Sequence, residues 1–209
     1  MKQKVTSFHY NNLKIKLHPE VYHPAEDTFL LLETIDVTSK DFVFEIGTGS
    51  GVIALSCAQK GARVICSDIN PYAVNLVQKN IDKNNSLPKG SIEIRKGSLF
   101  TVLNENEKFN LIIFNPPYLP TSKEEYIGGT GWFDKAVAGG TTGLQITTLF
   151  LNNLSTYLKD DGRAYTIFST NSPRNQFNQI LKNNQLESII LDSYSFTDET
   201  IEVHRITKK

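Results

Sequence analysis

Short apolar runs alternate with longer amphipathic stretches over most of the chain. Apolar runs of about four to eight residues predict strands, and runs without a polar alternation predict strands buried on both faces of a parallel sheet. The predicted strands are 42–46, 61–68, 91–96, 111–114, 163–170, 186–194 and 200–207, and the predicted helices are 24–33, 52–60, 71–82, 141–158 and 173–183. This alternation is typical of an α/β sheet, and the last two strands are expected to form an antiparallel hairpin.

The motif Asn115-Pro116-Pro117-Tyr118 directly follows the apolar run 111–114. Proline has no N–H to donate to a sheet, so the two prolines end the strand and hold Asn115 at its carboxyl end, where open α/β sheets bind ligands. The Asn115 amide, the Pro116 carbonyl and the Tyr118 ring suit a planar substrate with an N–H₂ group, and these three are the candidate catalytic residues. The alternative is an ordinary turn, because asparagine and proline are common turn residues.

A glycine-rich loop containing Gly47, Gly49 and Gly51 lies between the first predicted strand and its helix. Glycines let a backbone turn sharply and approach a ligand closely, so these three are candidate cofactor-binding residues. Val52 stands where a dinucleotide fingerprint has its third glycine. Glu45 would repel a pyrophosphate but suits a ligand with an ammonium or another cationic centre. Both features argue against an NAD-linked dehydrogenase.

Asp68 ends the second predicted strand of this unit, about 20 residues after Gly47, which is the spacing at which an acid binds ribose hydroxyls in Rossmann-type sites. The alternative is that Asp68 caps the helix that begins near Pro71, because aspartate is a good N-cap residue. Ser98 and Leu99 follow the next strand. Leu99 suits either contact with an adenine ring or plain core packing.

Residues 1–20 contain two β-prone runs separated by Asn11-Asn12. This pattern predicts a hairpin or an N-terminal extension of a single domain that covers 1–209. The next predicted helix carries Asp27 and Thr28 in its first turn. It either serves only to cover the sheet or places these two side chains in a ligand cleft.

Composition narrows the functional classes. Acidic and basic residues number 22 each, so the formal net charge is zero, which argues against a protein that binds nucleic acid mainly through phosphates. No apolar run approaches the roughly 18 to 20 residues of a membrane span, and no signal core follows the basic N-terminus, so a cytoplasmic location without membrane contact is expected. Cys57 and Cys66 are too few for a four-ligand zinc site, and no metal site is predicted.

Taken together, the glycine loop with Glu45, the acid Asp68 and the motif at Asn115 resemble a class I S-adenosylmethionine-dependent methyltransferase. The resemblance implies a Rossmann-like, mostly parallel seven-stranded sheet with a C-terminal antiparallel hairpin. The Asn-Pro-Pro-Tyr form belongs to enzymes that methylate planar nitrogens, namely adenine N6, cytosine N4 or a glutamine amide. The segment 21–31 and Ala138-Gly139-Gly140 narrow the resemblance to the short HemK-like release-factor glutamine methyltransferases of archaea and eukaryotes.

The resemblance implies a role for each matched residue. These residues would surround S-adenosylmethionine, with its methionine part held by Thr28, Glu45 and Gly47, its ribose by Asp68 and its adenine by Ser98 and Leu99. Asn115 would lie beside the cofactor and bind the substrate amide. The chain departs from the family pattern at three positions. His23 and Ser98 stand where the family has acids, and Val137 stands where it often has a tryptophan.

The family's substrate is the glutamine of the Gly-Gly-Gln loop of a class I peptide-chain release factor. Family members commonly work with a small zinc-binding activator protein that pairs with an edge of the sheet. Here that edge would be the strand 91–96, which carries Ile92 and Ile94.

Two other functions are compatible with the motifs. The same Asn115 and Tyr118 could serve adenine N6 of DNA or RNA presented as a flipped base, although zero net charge and the lack of room for a target-recognition domain stand against it. A non-catalytic cofactor-binding subunit would retain the fold without the chemistry. The complete Asn-Pro-Pro-Tyr motif argues against that reading.

Overall fold

The computed structural model describes residues 6–86, 89–121 and 131–209. In these ranges the strands are β1 Ser7–Tyr10, β2 Leu13–Lys16, β3 Phe42–Ile46, β4 Arg63–Asp68, β5 Ser91–Lys96, β6 Phe109–Phe114, β7 Leu158–Ser169, β8 Leu186–Ser195 and β9 Thr200–Lys208. The helices are α1 Glu26–Thr34, α2 Val52–Gln59, α3 Pro71–Lys83, α4 Trp132–Val137, α5 Gln145–Tyr157 and α6 Arg174–Asn183. A single 3-10 turn, Leu99–Val102, follows β5.

Within the described residues, β3 to β9 form one seven-stranded sheet in the order β5-β4-β3-β6-β7-β9-β8. The five strands from β5 to β7 are parallel, whereas β9 runs antiparallel to both β7 and β8. The predicted α/β architecture with its C-terminal antiparallel hairpin is therefore confirmed. The strand β5, predicted to be an edge, is an edge of this sheet.

The register of the central strands brings the polar strand ends to one level. Ile46 of β3 lies opposite Ser67 of β4 and opposite Phe114 of β6. The residues that follow these positions, Asp68 on β4 and Asn115 after β6, therefore leave the sheet beside the glycine loop. Ligand sites of open α/β sheets lie at this carboxyl edge.

Both faces of the sheet are covered by apolar layers. One core contains residues of β2, α1 and α2, with partly buried side chains of β1 packed against it. The other contains residues of α5 and α6 together with the aromatic side chains of Phe44, Phe109 and Phe168. Burial on both faces explains why the central strands read as continuous apolar runs. In the part of the chain that the structure describes, no helix is long and apolar enough to span a membrane.

The strands β1 and β2 form an antiparallel hairpin whose turn includes Asn11 at φ +49°. One asparagine of α3 and the asparagine directly after this helix attach the hairpin to the domain. The Asn80 and Asn84 side-chain oxygens each accept a hydrogen bond at 2.9 Å, from the Lys16 and Lys14 N–H groups respectively. The N-terminal segment therefore packs against the same domain as the sheet.

The structure differs from the sequence-based prediction in three segments. Residues 160–162 are predicted to form a turn between the helix 141–158 and the strand 163–170. They lie inside β7, where a register shift between Phe109 and Leu111 of the neighbouring strand accommodates the extra residues. The helix predicted from 141 begins only at Gln145, because Gly143 adopts φ +74°. The sequence also predicts a long connection over 121–140. The short helix α4 lies within that connection and was not predicted, and residues 122–130 lie outside the described residues.

Candidate active site

The carboxyl ends of β3, β4, β5 and β6 surround a cavity of about 450 Å³, a size typical of small-molecule sites. Its lining includes most of the residues proposed from the sequence, namely Thr28, Glu45, Gly47, Gly49, Asp68, Ser98, Leu99, Asn115, Pro116 and Tyr118. Residues that lie up to about 90 positions apart in the sequence thus share one cavity. The predicted cofactor-binding residues and the predicted catalytic residues therefore line the same cavity.

Gly51 is the exception, because it is not among the residues that line the cavity. It adopts φ +81° at the N-terminus of α2. A Cβ atom at this position would lie 3.1 Å from the Val77 side chain on α3. Gly51 therefore permits the turn into α2 and the close packing of α2 against α3, whereas Gly47 and Gly49, with φ +65° and +56°, form the loop that faces the cavity.

Glu45 is a buried carboxylic acid at the floor of the cavity, 3% exposed. Its Oε2 accepts a hydrogen bond from the Thr48 hydroxyl at 2.7 Å. Burial raises the pKa of Glu45 to about 8, although hydrogen bonds from Thr48 and from the Ala54 N–H oppose this effect. Near neutral pH the side chain is therefore mostly uncharged, and a cationic ligand group would stabilise its ionised form.

Asp68 is held by the backbone, with Oδ2 accepting from the Gly49 N–H and Oδ1 from the Asn70 N–H, both at 2.9 Å. The helix cap considered for Asp68 is instead Asn70, whose side chain accepts from the Tyr72 N–H at 2.9 Å. Burial raises the pKa of Asp68, and its backbone donors oppose that effect. Because each carboxylate oxygen can accept two hydrogen bonds, Asp68 retains acceptor capacity for hydroxyl groups of a ligand.

Asp27 links the first turn of α1 to the Asn115 motif. Its Oδ2 accepts from Asn115 Nδ2 at 3.0 Å and from the Tyr118 hydroxyl at 3.1 Å. The Tyr22 hydroxyl is 3.2 Å from Oδ1 of the same carboxylate. Asn115 Oδ1 is buried and has no hydrogen-bond partner among the described residues. The amide is thus oriented with its donor end against Asp27 and its acceptor end unpaired.

The two tyrosines in this network are held in their protonated forms. Burial and the negative charge of Asp27 raise the pKa of both Tyr22 and Tyr118 well above the ordinary phenol value. Both hydroxyls therefore donate to Asp27 over the whole physiological pH range. The Tyr118 ring is fixed at the cavity wall by this contact.

The Ala138-Gly139-Gly140 segment closes the cavity from the side of β6. The Leu119 N–H donates to the Val137 carbonyl at 3.1 Å, and the Gly139 N–H donates to the Leu119 carbonyl at 2.8 Å. A Cβ atom on Gly139 would lie only 2.8 Å from the Pro117 carbonyl oxygen. Only glycine allows this close approach, so the Ala-Gly-Gly segment positions the backbone of the Asn115 motif.

Several lining residues were not assigned from the sequence. Tyr22, Ile69, Trp132 and Leu149 line the cavity, and Ile69 and Leu149 are about half exposed. Their contribution depends on tertiary packing, because no local pattern distinguishes them from ordinary surface or core residues. In the described ranges, no group of three or more potential ligands is placed to hold a metal ion.

A family profile described as the methyltransferase small domain matches residues 12–138 of this chain. The chain belongs to the methyltransferase small domain family. The matched range contains the glycine loop, Asp68, the Asn115 motif and Ala138, which contribute to the lining of the cavity described above.

Individual relatives agree with this assignment. A Methanocaldococcus jannaschii protein that carries the provisional name protein N5-glutamine methyltransferase is 47% identical over 152 residues, covering 72% of this chain and 73% of the relative. The catalytic subunit of the Schizosaccharomyces pombe eRF1 methyltransferase is 31% identical over 175 residues, covering 75% and 76%. A chain of similar fold occurs in the Encephalitozoon cuniculi Mtq2–Trm112 complex, which is described as responsible for methylation of eRF1. The TM-score is 0.66 at 19% sequence identity, and the match covers 91% of this chain and 99% of that chain.

Proposed function

We propose that this methyltransferase domain transfers a methyl group from S-adenosylmethionine to the side-chain amide nitrogen of the glutamine in the Gly-Gly-Gln loop of a class I peptide-chain release factor. The observation that carries this proposal is the orientation of Asn115. Its Nδ2 is bound to Asp27, while its buried Oδ1 has no partner among the described residues. Because leaving a buried acceptor unpaired costs free energy, the site is built for a donor that arrives with the substrate.

The chemistry of the residues that line the cavity suits S-adenosylmethionine. Gly47 and Gly49 form a loop of left-handed residues that lets a ligand approach the backbone. Glu45 offers a buried carboxylic acid for the ammonium of the methionine part, and Asp68 retains acceptor capacity for the ribose hydroxyls. The apolar side chains of Ile69 and Leu99 line the same cavity and suit an adenine ring.

When bound, S-adenosylmethionine supplies an electrophilic methyl group attached to a sulfonium. An amide nitrogen is a weak nucleophile because its lone pair is delocalised into the carbonyl, and positive charge develops on it during transfer. The N–C bond would form as the S–C bond breaks, the sulfur would leave as a neutral thioether, and the methylated nitrogen would release one proton to solvent. Hydrogen bonds from the substrate N–H₂ group to Asn115 Oδ1 and to the Pro116 carbonyl would stabilise that charge. The Tyr118 ring would hold the amide plane, and much of the rate gain would come from orientation.

Two observations favour a glutamine amide over adenine N6 as the methyl acceptor: the names of the relatives and the net charge of this chain. Two relatives that cover about three quarters of this chain carry names that describe N5-glutamine methylation or eRF1 methylation. The formal net charge of zero provides no excess of cations for phosphate contacts, although nucleic-acid enzymes depend on such contacts for affinity. The residues Asn115, Pro116 and Tyr118 are accordingly the proposed catalytic residues.

We also propose that a small zinc-binding activator pairs with β5 and that the protein works in the cytoplasm. The open edge at Ser91–Lys96 supports the first proposal, because an edge strand presents unpaired backbone groups to a partner strand. Hydrogen exchange of the protein with and without such an activator tests it. Amides of β5 should become protected, and protection confined to β8 at the opposite edge would contradict the assignment.

The experiment for the reaction uses labelled S-adenosylmethionine and a class I release factor from the same source, with and without the activator. A matched release factor carries asparagine in place of the Gly-Gly-Gln glutamine. Label should enter the unmodified factor alone, and Asn115→Ala should lower the transfer strongly while the fold is retained. Transfer to nucleic acid but not to the release factor would favour adenine N6. Near wild-type turnover of folded Asn115→Ala would contradict the mechanism.

A further inference from the structure

The Asp27 carboxylate contacts Asn115, and the reaction above assigns it no role. It is 4% exposed and lies in the first turn of α1. Its hydrogen bonds come from the side chains of Asn115, Tyr118 and Tyr22 and from the N–H and hydroxyl of Thr28, the last two at 2.6 and 3.2 Å. The donors that converge on this buried carboxylate replace the hydrogen bonds that water would otherwise supply.

We propose that Asp27 is a positioning residue for methyl transfer, which acts through the Asn115 amide and does not touch the substrate. The inference rests on the amide-methylating function proposed above. An ionised carboxylate only accepts hydrogen bonds, so it selects the Nδ2 end of Asn115 and rejects the oxygen end. The 3.0 Å contact between Asn115 Nδ2 and Asp27 Oδ2 therefore leaves Oδ1 as the group available to the substrate.

The charge of Asp27 contributes more than orientation. A negative charge beside the Nδ2 group polarises the amide, which increases the negative charge on Oδ1 and strengthens the next hydrogen bond in the chain. This gain is greatest when the substrate nitrogen carries developing positive charge. Asp27 is therefore expected to stabilise the transition state more than the bound substrate, so its loss should appear in kcat more than in KM.

A purely structural role for Asp27 makes a different prediction. An acid in the first turn of a helix also interacts favourably with the helix dipole, and Asp27 ties α1 to Tyr22 and Tyr118. If that were its whole contribution, removing the charge would destabilise the protein by an amount that does not depend on Asn115. The two roles can therefore be separated by a double-mutant cycle.

The cycle compares wild type, Asp27→Asn, Asn115→Ala and the double variant, each assayed for kcat and KM with the release factor. Cofactor affinity is measured by isothermal titration calorimetry, and the melting temperature is measured by differential scanning calorimetry. Asp27→Asn should lower kcat about 10- to 100-fold, the effect expected from loss of a charge-assisted hydrogen bond. Cofactor affinity should change little, and the double variant should be no slower than Asn115→Ala. The control is Asp82→Asn, the same substitution on the exposed face of α3.

A second measurement needs neither turnover nor a folded Asp27 variant. In the ¹H–¹⁵N spectrum of wild type, assigned by comparison with Asn115→Ala, one side-chain proton of Asn115 should lie far downfield and exchange slowly. Additive losses of kcat in the cycle would overturn the proposal, as would two equivalent, fast-exchanging Asn115 side-chain protons. If wild type shows the downfield proton but does not methylate the glutamine, the proposed function would be rejected. The hydrogen bond between Asn115 and Asp27 would still be supported.

Discussion

The raised pKa of Glu45 predicts that cofactor binding is coupled to the release of a proton. Burial places this pKa at about 8. In the cofactor-free protein, Glu45 is therefore almost entirely neutral at pH 6, where about 1% of it is ionised. About 10% of it is ionised at pH 7. An ammonium group of the bound cofactor requires the ionised form. The dissociation constant of S-adenosylmethionine should therefore fall about tenfold per pH unit between pH 6 and 7.5.

Isothermal titration calorimetry in buffers of different ionisation enthalpy measures both the affinity and the number of protons released. Close to one proton should be released per cofactor at pH 6.5. The control Glu45→Gln keeps the shape of the side chain and removes its titration. It should bind about 10- to 100-fold more weakly than wild type at pH 8, with little pH dependence. Wild-type binding that is independent of pH between 6 and 7.5 would refute the reasoning.

The same shift has a consequence for the stability of the cofactor-free protein. The pKa of Glu45 is raised from 4.5, its value in the unfolded chain, to about 8 in the folded protein. Its contribution to stability is therefore fully present below pH 4.5 and is lost as the pH rises through 8. Chemical denaturation of wild type and Glu45→Gln across this window should show a decline in the wild type that the variant lacks. Parallel pH profiles would contradict the assignment.

Three further changes test other parts of the structure. Gly139→Ala places a Cβ atom 2.8 Å from a backbone carbonyl oxygen of the Asn115 motif. We therefore expect a loss of about 1–3 kcal/mol in unfolding free energy and slower methyl transfer. Unchanged turnover would show that the position of this backbone is unimportant for the reaction. Ser98→Asp should strengthen cofactor binding by about 1–2 kcal/mol through a new acceptor for the adenine amino group, and weaker binding in calorimetry would place the adenine elsewhere. Arg163→Met removes the bidentate partner of Asp41, at 3.0 and 3.1 Å, and should cost about 2 kcal/mol. The ion pair with Arg163 lowers the pKa of Asp41. The stability advantage of wild type over Arg163→Met should therefore shrink as the pH falls through that pKa. A difference in unfolding free energy that is the same at all pH values would contradict the role of the pair.

The order of strands and helices was predictable from the sequence because the core lies on both faces of the sheet. Strands buried on two faces, such as Phe42–Ile46 and Phe109–Phe114, appear as continuous apolar runs. The start of α5 was not predictable, because a left-handed Gly143 interrupts a stretch with good helical spacing. The bulge in β7 was not predictable either, since polar residues 160–162 carry a strong turn pattern.

The candidate site was predictable where chemistry and a strand end coincide. Glu45 and Asp68 lie at the carboxyl ends of β3 and β4, and Asn115 directly follows β6. Parallel strands bring such positions to one edge of the sheet. The orientation of the Asn115 amide was not predictable, because it depends on a contact with Asp27 from α1 across 88 residues of sequence. The role of Gly51 also required the structure, since its neighbour Val77 belongs to another helix.

The most direct test of glutamine methylation is to locate the transferred methyl group. The protein, its activator and a class I release factor would be incubated with S-adenosylmethionine that carries a deuterated methyl group, and the peptide containing Gly-Gly-Gln would be sequenced by tandem mass spectrometry. The deuterated methyl group should lie on the glutamine side-chain nitrogen and be absent when Asn115→Ala replaces wild type. A methyl group on any other residue of the release factor, or only on nucleic acid in a parallel reaction, would contradict the proposed function.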